Sequence, residues 1–402
     1  MKPERIYFDN AATTFPKPPG VARAVSDYIE NIGCNVNRGS YAGAYDAGEI
    51  VFETRNRLKN LFNVPDETNI VFTPSDTYSL NMLVKGLVRP GDHVLVSSME
   101  HNAVMRPVEA LSQRGMITYD ILECGQDGTV SPEEMLNALE NVLETAKYGQ
   151  KRFRGVILNH GSNVCGSILP IETAGSFCRE YGIFLIVDCA QTAGVLDIDM
   201  EKMKIDALSF SGHKGLYGPQ GTGGFAISDR MKDELETIIE GGTGSFSHLL
   251  TMPEQLPDRF EAGTMNIPGI YGLNEGLKFI EETGIDSIRT HENIVTECFV
   301  KGFSGIEGMH VAGTEELRLA GSGKRLPVVS ITCDGIDPAT LAYRLESEYN
   351  IWTRVGLHCA PMAHKTIGTF PAGTVRFSFG YFNTTEEAEY GAQAVRSICE
   401  RR

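Results

Sequence analysis

From about Asn69 onward the chain alternates short apolar runs with longer amphipathic stretches, and this alternation restricts the possible folds more than any other feature. The stretch Pro170–Gly182 begins with proline, has a glutamate in its first turn and ends with glycine, which is typical of a helix. Strands that alternate with helices predict an α/β fold with a mostly parallel sheet covered on both faces. Five apolar runs have the length of buried strands: His93–Ser98, Gly155–His160, Ile183–Gln191, Ile205–Lys214 and Gly223–Ile227.

Polar side chains follow these predicted strands at the points where the strands end. The carboxyl ends of parallel strands meet at one edge of a sheet, and ligands of such sheets bind at that edge. The sequence therefore predicts that five candidate site residues share this edge: Asp188, Gln191, Ser211, His213 and Lys214.

Lys214 and Asp188 are the two ionisable residues among them with the clearest chemistry. Lys214 follows an apolar strand and precedes a glycine-dense turn, where burial lowers the pKa of an amine and makes it a nucleophile for carbonyl groups. Asp188 ends the preceding strand and can either cap the next helix or keep a proton on the pyridine nitrogen of pyridoxal phosphate (PLP). Taken alone, each residue is also consistent with an ordinary structural role; together they favour a PLP site.

A phosphate site is suggested by "FTPSDTYSLN", which leads from a short apolar strand into a helix. Ser75, Asp76 and Thr77 occupy the first turn of that helix, where free backbone N–H groups and a hydroxyl attract anions. Ser211 and His213 could add side-chain donors beside Lys214. A simple helix cap remains the alternative interpretation of this segment.

His101 and Cys359 are further candidates. His101 follows a strand in "EHNAV" and can stack on a pyridine ring or serve as a structural histidine. "RVGLHCAPMAHK" sets Cys359 between His358 and His364, as a metal ligand, a reactive thiolate or a loop residue. We predict no metal site, because this spacing matches no standard zinc pattern. The nine cysteines contain no CxxC pair, which favours reduced thiols over disulfides.

The charge of the chain excludes some classes of partner. The formal net charge is −16, whereas nucleic acids and anionic membranes are bound by basic surfaces. No signal peptide and no apolar run long enough to span a bilayer is recognisable. We expect a cytoplasmic enzyme that binds neither nucleic acid nor membrane.

The Gly/Pro-rich stretch 240–268 has no clear periodicity and is predicted to be a long functional loop. Helical periodicity resumes at about Tyr271 and leads into a second α+β region. We therefore predict a domain boundary near residue 275, with a large domain at 21–275 and a small C-terminal domain at 276–402.

Six motifs give the chain a family resemblance: "YFDNAATT", "EHNAV", "VDCAQTAG", "SFSGHKGLYGPQGTGG", "FEAGTMN" and "GLHCAP…VRFSFGYFNT". In order and spacing they resemble the class V aminotransferases of PLP fold type I, and within them the cysteine desulfurase and selenocysteine lyase branch. The resemblance covers essentially the whole chain. It implies a homodimer and a segment 1–20 that packs on the small domain.

The resemblance also implies roles for individual residues. Lys214 would carry PLP, with Asp188 on the pyridine nitrogen, Gln191 near the phenolic oxygen and His101 on the ring. The phosphate would be held by first-turn residues and hydroxyls, with one residue from the second subunit: Asp76, Thr77, Ser211, His213 and Thr264. The substrate carboxylate would bind Arg376 and Asn163, and Asn37 and Arg38 would line the entrance.

Cys359 matches the catalytic cysteine of that branch. Its thiolate would attack the sulfur of L-cysteine, leaving a persulfide on Cys359 and releasing alanine, and an acceptor protein would take the sulfur. L-selenocysteine is the other expected substrate. Two residues depart from the family pattern: Tyr78 replaces a commonly acidic residue, and Asp76 would repel a phosphate unless its carboxylate turned outward. Alternatives are a C–S lyase acting on cystine, an aminotransferase, a nicotinamide-dependent oxidoreductase suggested by glycine richness alone, and a non-enzymatic scaffold.

Overall fold

The computed structural model describes residues 5–36, 41–303, 305–314 and 324–401. Its strands are β1 Ile6–Tyr7, β2 Ile70–Thr73, β3 Asp92–Ser97, β4 Ile117–Leu122, β5 Arg152–Asn159, β6 Phe184–Asp188, β7 Ala207–Ser211, β8 Gly223–Ile227, β9 Met309–Val311, β10 Val328–Cys333, β11 Ile351–Trp352, β12 Arg354–Gly356 and β13 Thr374–Ser378.

The α-helices of the same residues are α1 Pro19–Asp27, α2 Ala42–Phe62, α3 Asp76–Leu87, α4 Asn102–Gln113, α5 Pro132–Tyr148, α6 Ile171–Tyr181, α7 Ile267–Thr283, α8 Ile285–Lys301, α9 Pro338–Tyr349, α10 Pro361–Thr366 and α11 Thr385–Glu400. A π-helical turn, Tyr28–Ile32, follows α1, and a 3₁₀ turn, Glu67–Asn69, precedes β2. No helix in the described part of the chain is long and apolar enough to cross a membrane.

The main sheet has seven strands in the order β2-β8-β7-β6-β5-β3-β4. β3 to β7 pair in parallel, and β8 runs antiparallel to both of its neighbours. Every residue of β6, β7 and β8 is buried, because helices cover both faces of the sheet. The predicted α/β fold with a mostly parallel sheet is confirmed, and the five predicted strands and the predicted helix differ from the observed ones only at their ends.

The register of the sheet brings polar residues together at its carboxyl edge. Asp188 lies opposite Asn159 on one side and Ser209 on the other. Ser211 lies opposite Gly223 at the start of β8. A Cβ atom on Gly223 would stand 2.8 Å from the backbone nitrogen of Asp76, so only glycine lets the start of α3 approach the sheet this closely.

A second, four-stranded antiparallel sheet has the order β12-β13-β10-β9 and belongs to the C-terminal part of the chain. β1 pairs in parallel with β11, which ties the N-terminal segment to this part. Phe8 packs there against Phe299, Phe377 and Phe379. Residue 275, the predicted domain boundary, lies inside α7, which packs against α1 and α2. The division into domains stays a prediction.

The predicted long loop is confirmed, since residues 228–266 contain no helix or strand. A buried ion pair ties this loop to α2, and a hydrogen bond from the same glutamate ties it to the main sheet. Arg55 Nη2 lies 2.5 Å from Glu261 Oε2, and both side chains are less than a tenth exposed. The other carboxylate oxygen of Glu261 accepts a 2.7 Å hydrogen bond from the backbone N–H of Phe72.

Glu261→Ala should therefore destabilise the protein strongly. It would leave the Arg55 guanidinium buried without its anion, which typically costs about 3–5 kcal/mol. The midpoint of urea unfolding measures this loss. Glu297→Ala is the control, because Glu297 pairs with Lys301 on the exposed face of α8 and such pairs contribute little. Equal shifts of the midpoint in the two variants would contradict a structural role for the buried pair.

Candidate active site

A cavity opens between the start of α3 and the carboxyl edge of the main sheet. It brings together nine of the residues that the sequence predicts for the site: Asp76, Thr77, His101, Asn163, Asp188, Gln191, Ser211, His213 and Lys214. Ser75, Asn159, Gly161 and Ala190 complete its lining. The cavity unites these residues because parallel strands end together at this edge.

The remaining predicted site residues do not line this cavity. Arg376 and Cys359 border the site from the C-terminal part of the chain, and the charges of both influence the pKa of Lys214. Thr264 is exposed and lines a different cavity, together with Tyr78 and Phe260. Asn37 and Arg38 lie outside the described residues, so their predicted role at the entrance stays a prediction.

Lys214 follows β7 in a turn rather than ending the strand. Burial lowers the pKa of its amine, the carboxyl groups of Asp76 and Asp188 act in the opposite direction, and Arg376 adds to the lowering. A lower pKa increases the fraction of neutral amine, which is the nucleophilic form. The environment of Lys214 therefore suits an amine that reacts with a carbonyl group.

Asp188 and Gln191 are oriented by short hydrogen bonds to the backbone. One carboxylate oxygen of Asp188, Oδ1, accepts a 2.9 Å bond from the N–H of Ala190, which leaves Oδ2 for a ligand. Gln191 donates from Nε2 to the carbonyl oxygen of Ala11 at 2.9 Å. Both side chains are thus held in place at the edge of the sheet before any ligand binds.

The start of α3 provides an anion site. The side chain of Ser75 caps the helix by accepting from the N–H of Tyr78 at 3.3 Å. The N–H groups of Asp76 and Thr77 belong to the first turn, where backbone donors have no partner within the helix. His213 adds a neutral imidazole, because burial lowers its pKa to about 4, and its Nδ1 has no hydrogen-bond partner. These groups can bind a phosphate.

Asp76 is buried at the cavity and is not turned outward, so its carboxyl group lies where the sequence predicts repulsion of a phosphate. The residue is only 8% exposed, and its Oδ1 has no hydrogen-bond partner. Burial raises the pKa of its carboxyl group to about 8, and the negative charge of Asp188 adds to the rise. The sequence could not reveal this, because the space for the carboxyl group depends on how α3 meets the sheet.

His101 is the N-cap residue of α4. Its Nδ1 accepts a 3.0 Å hydrogen bond from the N–H of Ala103, which fixes the ring. Burial lowers the pKa of the imidazole, and the charge of Asp188 opposes the shift only in part. A neutral, fixed imidazole at the cavity wall suits stacking on a ring.

Arg376 on β13 is 3% exposed and already holds a partner. Its Nη2 lies 2.7 Å from Asp9 Oδ1, and its Nη1 donates to the backbone oxygen of Asn163 at 3.0 Å. A guanidinium carries five N–H donors, so three remain, and the buried Nε is unpartnered. The sequence does not predict Asp9 as a partner, because the two residues are distant in the chain.

Cys359 is exposed and lies in a strained loop. His358 and Cys359 both have positive φ angles, 47° and 59°, which residues with a Cβ atom rarely adopt. Two hydrogen bonds hold this conformation. Asn163 Nδ2 donates to the carbonyl oxygen of His358, and the N–H of Asn102 donates to that of Cys359, both at 2.8 Å.

These contacts involve one predicted site residue and one residue that was not predicted. The amide nitrogen of Asn163 contacts the cysteine loop in this structure, and the substrate contact that the resemblance implies for this residue stays a prediction. The contact of Asn102 could not be predicted from the sequence, because it uses the backbone N–H and not the side chain. We conclude that α4 and the segment around Asn163 together support the conformation of the loop.

His358 does not carry the positive charge that would assist a thiolate. Burial and nearby Arg376 lower the pKa of its imidazole to about 2, so the ring is neutral. Its Nε2 lies 3.0 Å from Thr374 Oγ1, which makes it a structural residue of the loop. Among the described residues, no group of three or more His, Cys, Asp or Glu is arranged to hold a metal ion.

The unpartnered polar atoms around the cavity test whether PLP fits. Asp76 Oδ1, Asn159 Oδ1, Ser209 Oγ, His213 Nδ1 and Arg376 Nε are buried without hydrogen-bond partners. Buried polar groups are normally satisfied, so a polar ligand is expected among them. Lys214, Asp188 and the start of α3 all line this cavity, and their chemistry matches the aldehyde, the ring nitrogen and the phosphate of PLP.

The fold and this site define a class of protein, and the comparison with known families agrees. The family model described as aminotransferase class-V matches residues 6–390, and the chain belongs to this family. Members of the family are PLP-dependent, and PLP is the cofactor of the chain.

Its relatives with known names are similar over almost their full length. A probable cysteine desulfurase of Pyrococcus abyssi is 34% identical, and the match covers 96% of this chain and 92% of that protein. One of Methanothermobacter thermautotrophicus is 30% identical over 98% of this chain and 95% of that protein. The apo structure of a cysteine desulfurase from Thermococcus onnurineus NA1 superposes with a TM-score of 0.89 at 29% identity, covering 99% of this chain and 96% of that one.

Asn163→Leu should loosen the cysteine loop, because it removes the side-chain donor to His358 with little change in size. We expect amide exchange in the peptide 354–365 to accelerate by about five- to tenfold, the equivalent of one net hydrogen bond. Hydrogen–deuterium exchange by mass spectrometry measures this. Asn31→Leu, on the exposed helical turn after α1, is the control. Unchanged exchange in the loop would show that Asn163 does not support it.

Proposed function

We propose that the chain is a PLP-dependent cysteine desulfurase, which removes sulfur from L-cysteine, leaves it as a persulfide on Cys359 and releases L-alanine. The observation that carries the proposal is the position of Cys359. It is exposed, its loop is held next to His101 and α4, and it is near enough to influence the charge of Lys214. The curated relatives bear the same activity in their names.

The residues of the site divide the work of this reaction. Bound PLP supplies an electron sink that makes the bond between Cβ and sulfur labile. Lys214 holds the cofactor and moves the proton at Cα of the substrate. Asp188 keeps a proton on the ring nitrogen, and His101 fixes the plane of the ring. Arg376 binds the substrate carboxylate with its remaining N–H donors.

Cys359 performs the sulfur transfer. Its thiolate attacks the sulfur of the substrate, so a sulfur–sulfur bond forms as the bond between Cβ and sulfur breaks. The electron pair of the broken bond stays with the three-carbon fragment, which takes up a proton and leaves as alanine. The loop that carries Cys359 follows β12, where Arg354 lies opposite Arg376 of β13.

Cys359→Ser should retain PLP and bind L-cysteine but lose alanine formation by about 100-fold or more, since the nucleophile is gone. The assay measures alanine released and the mass of one added sulfur on the peptide that contains residue 359. Cys298→Ser, at a partly exposed cysteine of α8, is the control. Turnover of cysteine at the wild-type rate, with no persulfide on Cys359, would favour the simple C–S lyase instead.

We also propose that the active unit is a homodimer. The loop after β8 lines an open hollow of about 1060 Å³ and does not form a packed core. It exposes Phe246, Leu249 and Leu250, and the last is fully accessible. Exposed apolar side chains on one segment are typical of an interface. A two-fold partner would cover them and would bring Thr264 to the phosphate of the neighbouring site.

Leu250→Asp should therefore shift the protein towards monomer, because it would bury a charge in the interface. Sedimentation velocity at micromolar concentration measures the fraction of dimer. Leu136→Asp is the control, since Leu136 is an exposed leucine on α5. A fully active monomer in the wild type would refute the dimer.

The finer points of the function are proposals as well. L-selenocysteine has the same carboxylate, amine and Cβ–chalcogen bond, so the site would accept it. The exposure of Cys359 gives a sulfur-acceptor protein access to the persulfide. We propose a cytoplasmic location, because the nine cysteines all lie in the described part of the chain and no disulfide joins any two of them.

A further inference from the structure

The cofactor site contains two buried carboxyl groups where one suffices for a ring nitrogen. Asp188 ends β6, and Asp76 begins α3 on the opposite side of the cavity. Asp76 is 8% exposed and Asp188 is 6% exposed. Both belong to the lining of the same cavity, so a bound cofactor would meet both.

Among the described residues, none forms an ion pair with the carboxyl group of Asp76, although the amine of Lys214 acts on it from a distance. Oδ1 of Asp76 has no hydrogen-bond partner. The buried hydroxyl of Ser209 is close enough to lower the pKa of the Asp76 carboxyl group, but it also has no partner in good hydrogen-bonding geometry. The ionisable groups that face Asp76 from β6 and from the turn after β7 are the carboxylate of Asp188 and the amine of Lys214. The imidazoles of His101 and His213, also in the lining, are neutral at neutral pH.

Opposing influences act on the charge of Asp76. The positive end of the α3 dipole and the amine of Lys214 favour a carboxylate. Burial and the charge of Asp188 disfavour it, and these two effects dominate. Once Lys214 is engaged with the cofactor, its amine is no longer a free ammonium group beside Asp76. The cofactor phosphate then adds further negative charge at the start of α3.

We propose that Asp76 is a second functional carboxyl group of the cofactor site, that it is protonated when PLP is bound, and that its ionisation releases the cofactor. A protonated Asp76 has an O–H that can donate to Ser209 or to the ligand and places no charge beside Asp188 or the phosphate. An ionised Asp76 repels both. Retention of PLP is thus coupled to one proton on Asp76. This inference rests on PLP as the cofactor and does not depend on the reaction that follows.

The test is the pH dependence of cofactor binding to the apo-protein. Two probes are dialysed to equilibrium against it between pH 6 and pH 9.5: PLP, and pyridoxine 5′-phosphate, which has the ring and phosphate but no aldehyde for Lys214. In the wild type, the dissociation constants of both should rise by up to about tenfold per pH unit once Asp76 ionises, as for any equilibrium coupled to one proton. In Asp76→Asn, which is neutral at every pH, this rise should be absent.

Glu292→Gln is the matched control. Glu292 is also a buried carboxyl group, and burial raises its pKa to about 8. It does not belong to the lining of the cofactor cavity. A raised pKa means that the folded state holds a proton that the unfolded state has lost, so stability falls as the pH rises from about 4 to about 8. Both variants should flatten this loss in the apo-protein, whereas only Asp76→Asn should flatten the loss of cofactor.

Asp76→Thr is a second neutral variant and guards against a defect that is specific to asparagine. The infrared difference spectrum between PLP-loaded wild type and PLP-loaded Asp76→Asn at pH 7 should show the carbonyl band of a protonated carboxyl group, a readout that does not use a dissociation constant. Parallel loss of both probes in the wild type and in both neutral variants, or the absence of that band, would overturn the proposal. Failure of the desulfurase function would appear separately, as intact cofactor binding without a persulfide on Cys359.

Discussion

Burial of charge at one edge of a parallel sheet is the constraint on which the rest of the structure depends. Asp188, Asp76 and Lys214 meet there because three chain segments end at the same place. Charges removed from water need partners, and inside this cavity the carboxyl groups outnumber the amine. The protein meets this demand in part with neutral imidazoles and an altered proton affinity at Asp76. A cofactor with a protonatable ring and a phosphate satisfies much of the remainder.

The C-terminal part of the chain contributes two residues that border the site, and contacts with other segments hold both in place. Its sheet delivers Arg376, which Asp9 holds from the N-terminal segment. Its loop delivers Cys359 in a left-handed conformation that Asn163 and Asn102 support. Cys359 and Arg376 therefore belong to one part of the chain and Lys214 to another, and the distances between them depend on how these parts pack. In this arrangement Cys359 is exposed, whereas Lys214 lies in the cavity.

Much of the site could be predicted because its residues follow a simple rule. Parallel strands end at one edge of a sheet, and five site residues lie at or just after the ends of strands: Asp188, Gln191, Ser211, His213 and Lys214. The first turn of α3 could be predicted from a hydroxyl residue that caps a helix after a strand. Contacts between remote segments had no such rule. The pairing of Arg376 with Asp9 and the support of the cysteine loop by Asn102 arise from folding, and the second contact uses a backbone amide that any residue carries.

The sequence by itself determined the order of strands and helices, the parallel sheet and the chemical types of the residues at its edge, because these depend on local apolar periodicity and on short-range turn signals. Only the tertiary structure decided the ionisation and orientation of those residues. Asp76 points inward because Gly223 lets α3 approach the sheet, and His358 is neutral because the surrounding chain buries it. Burial and the distance between charges set proton affinity, and both are properties of the packed chain rather than of any segment.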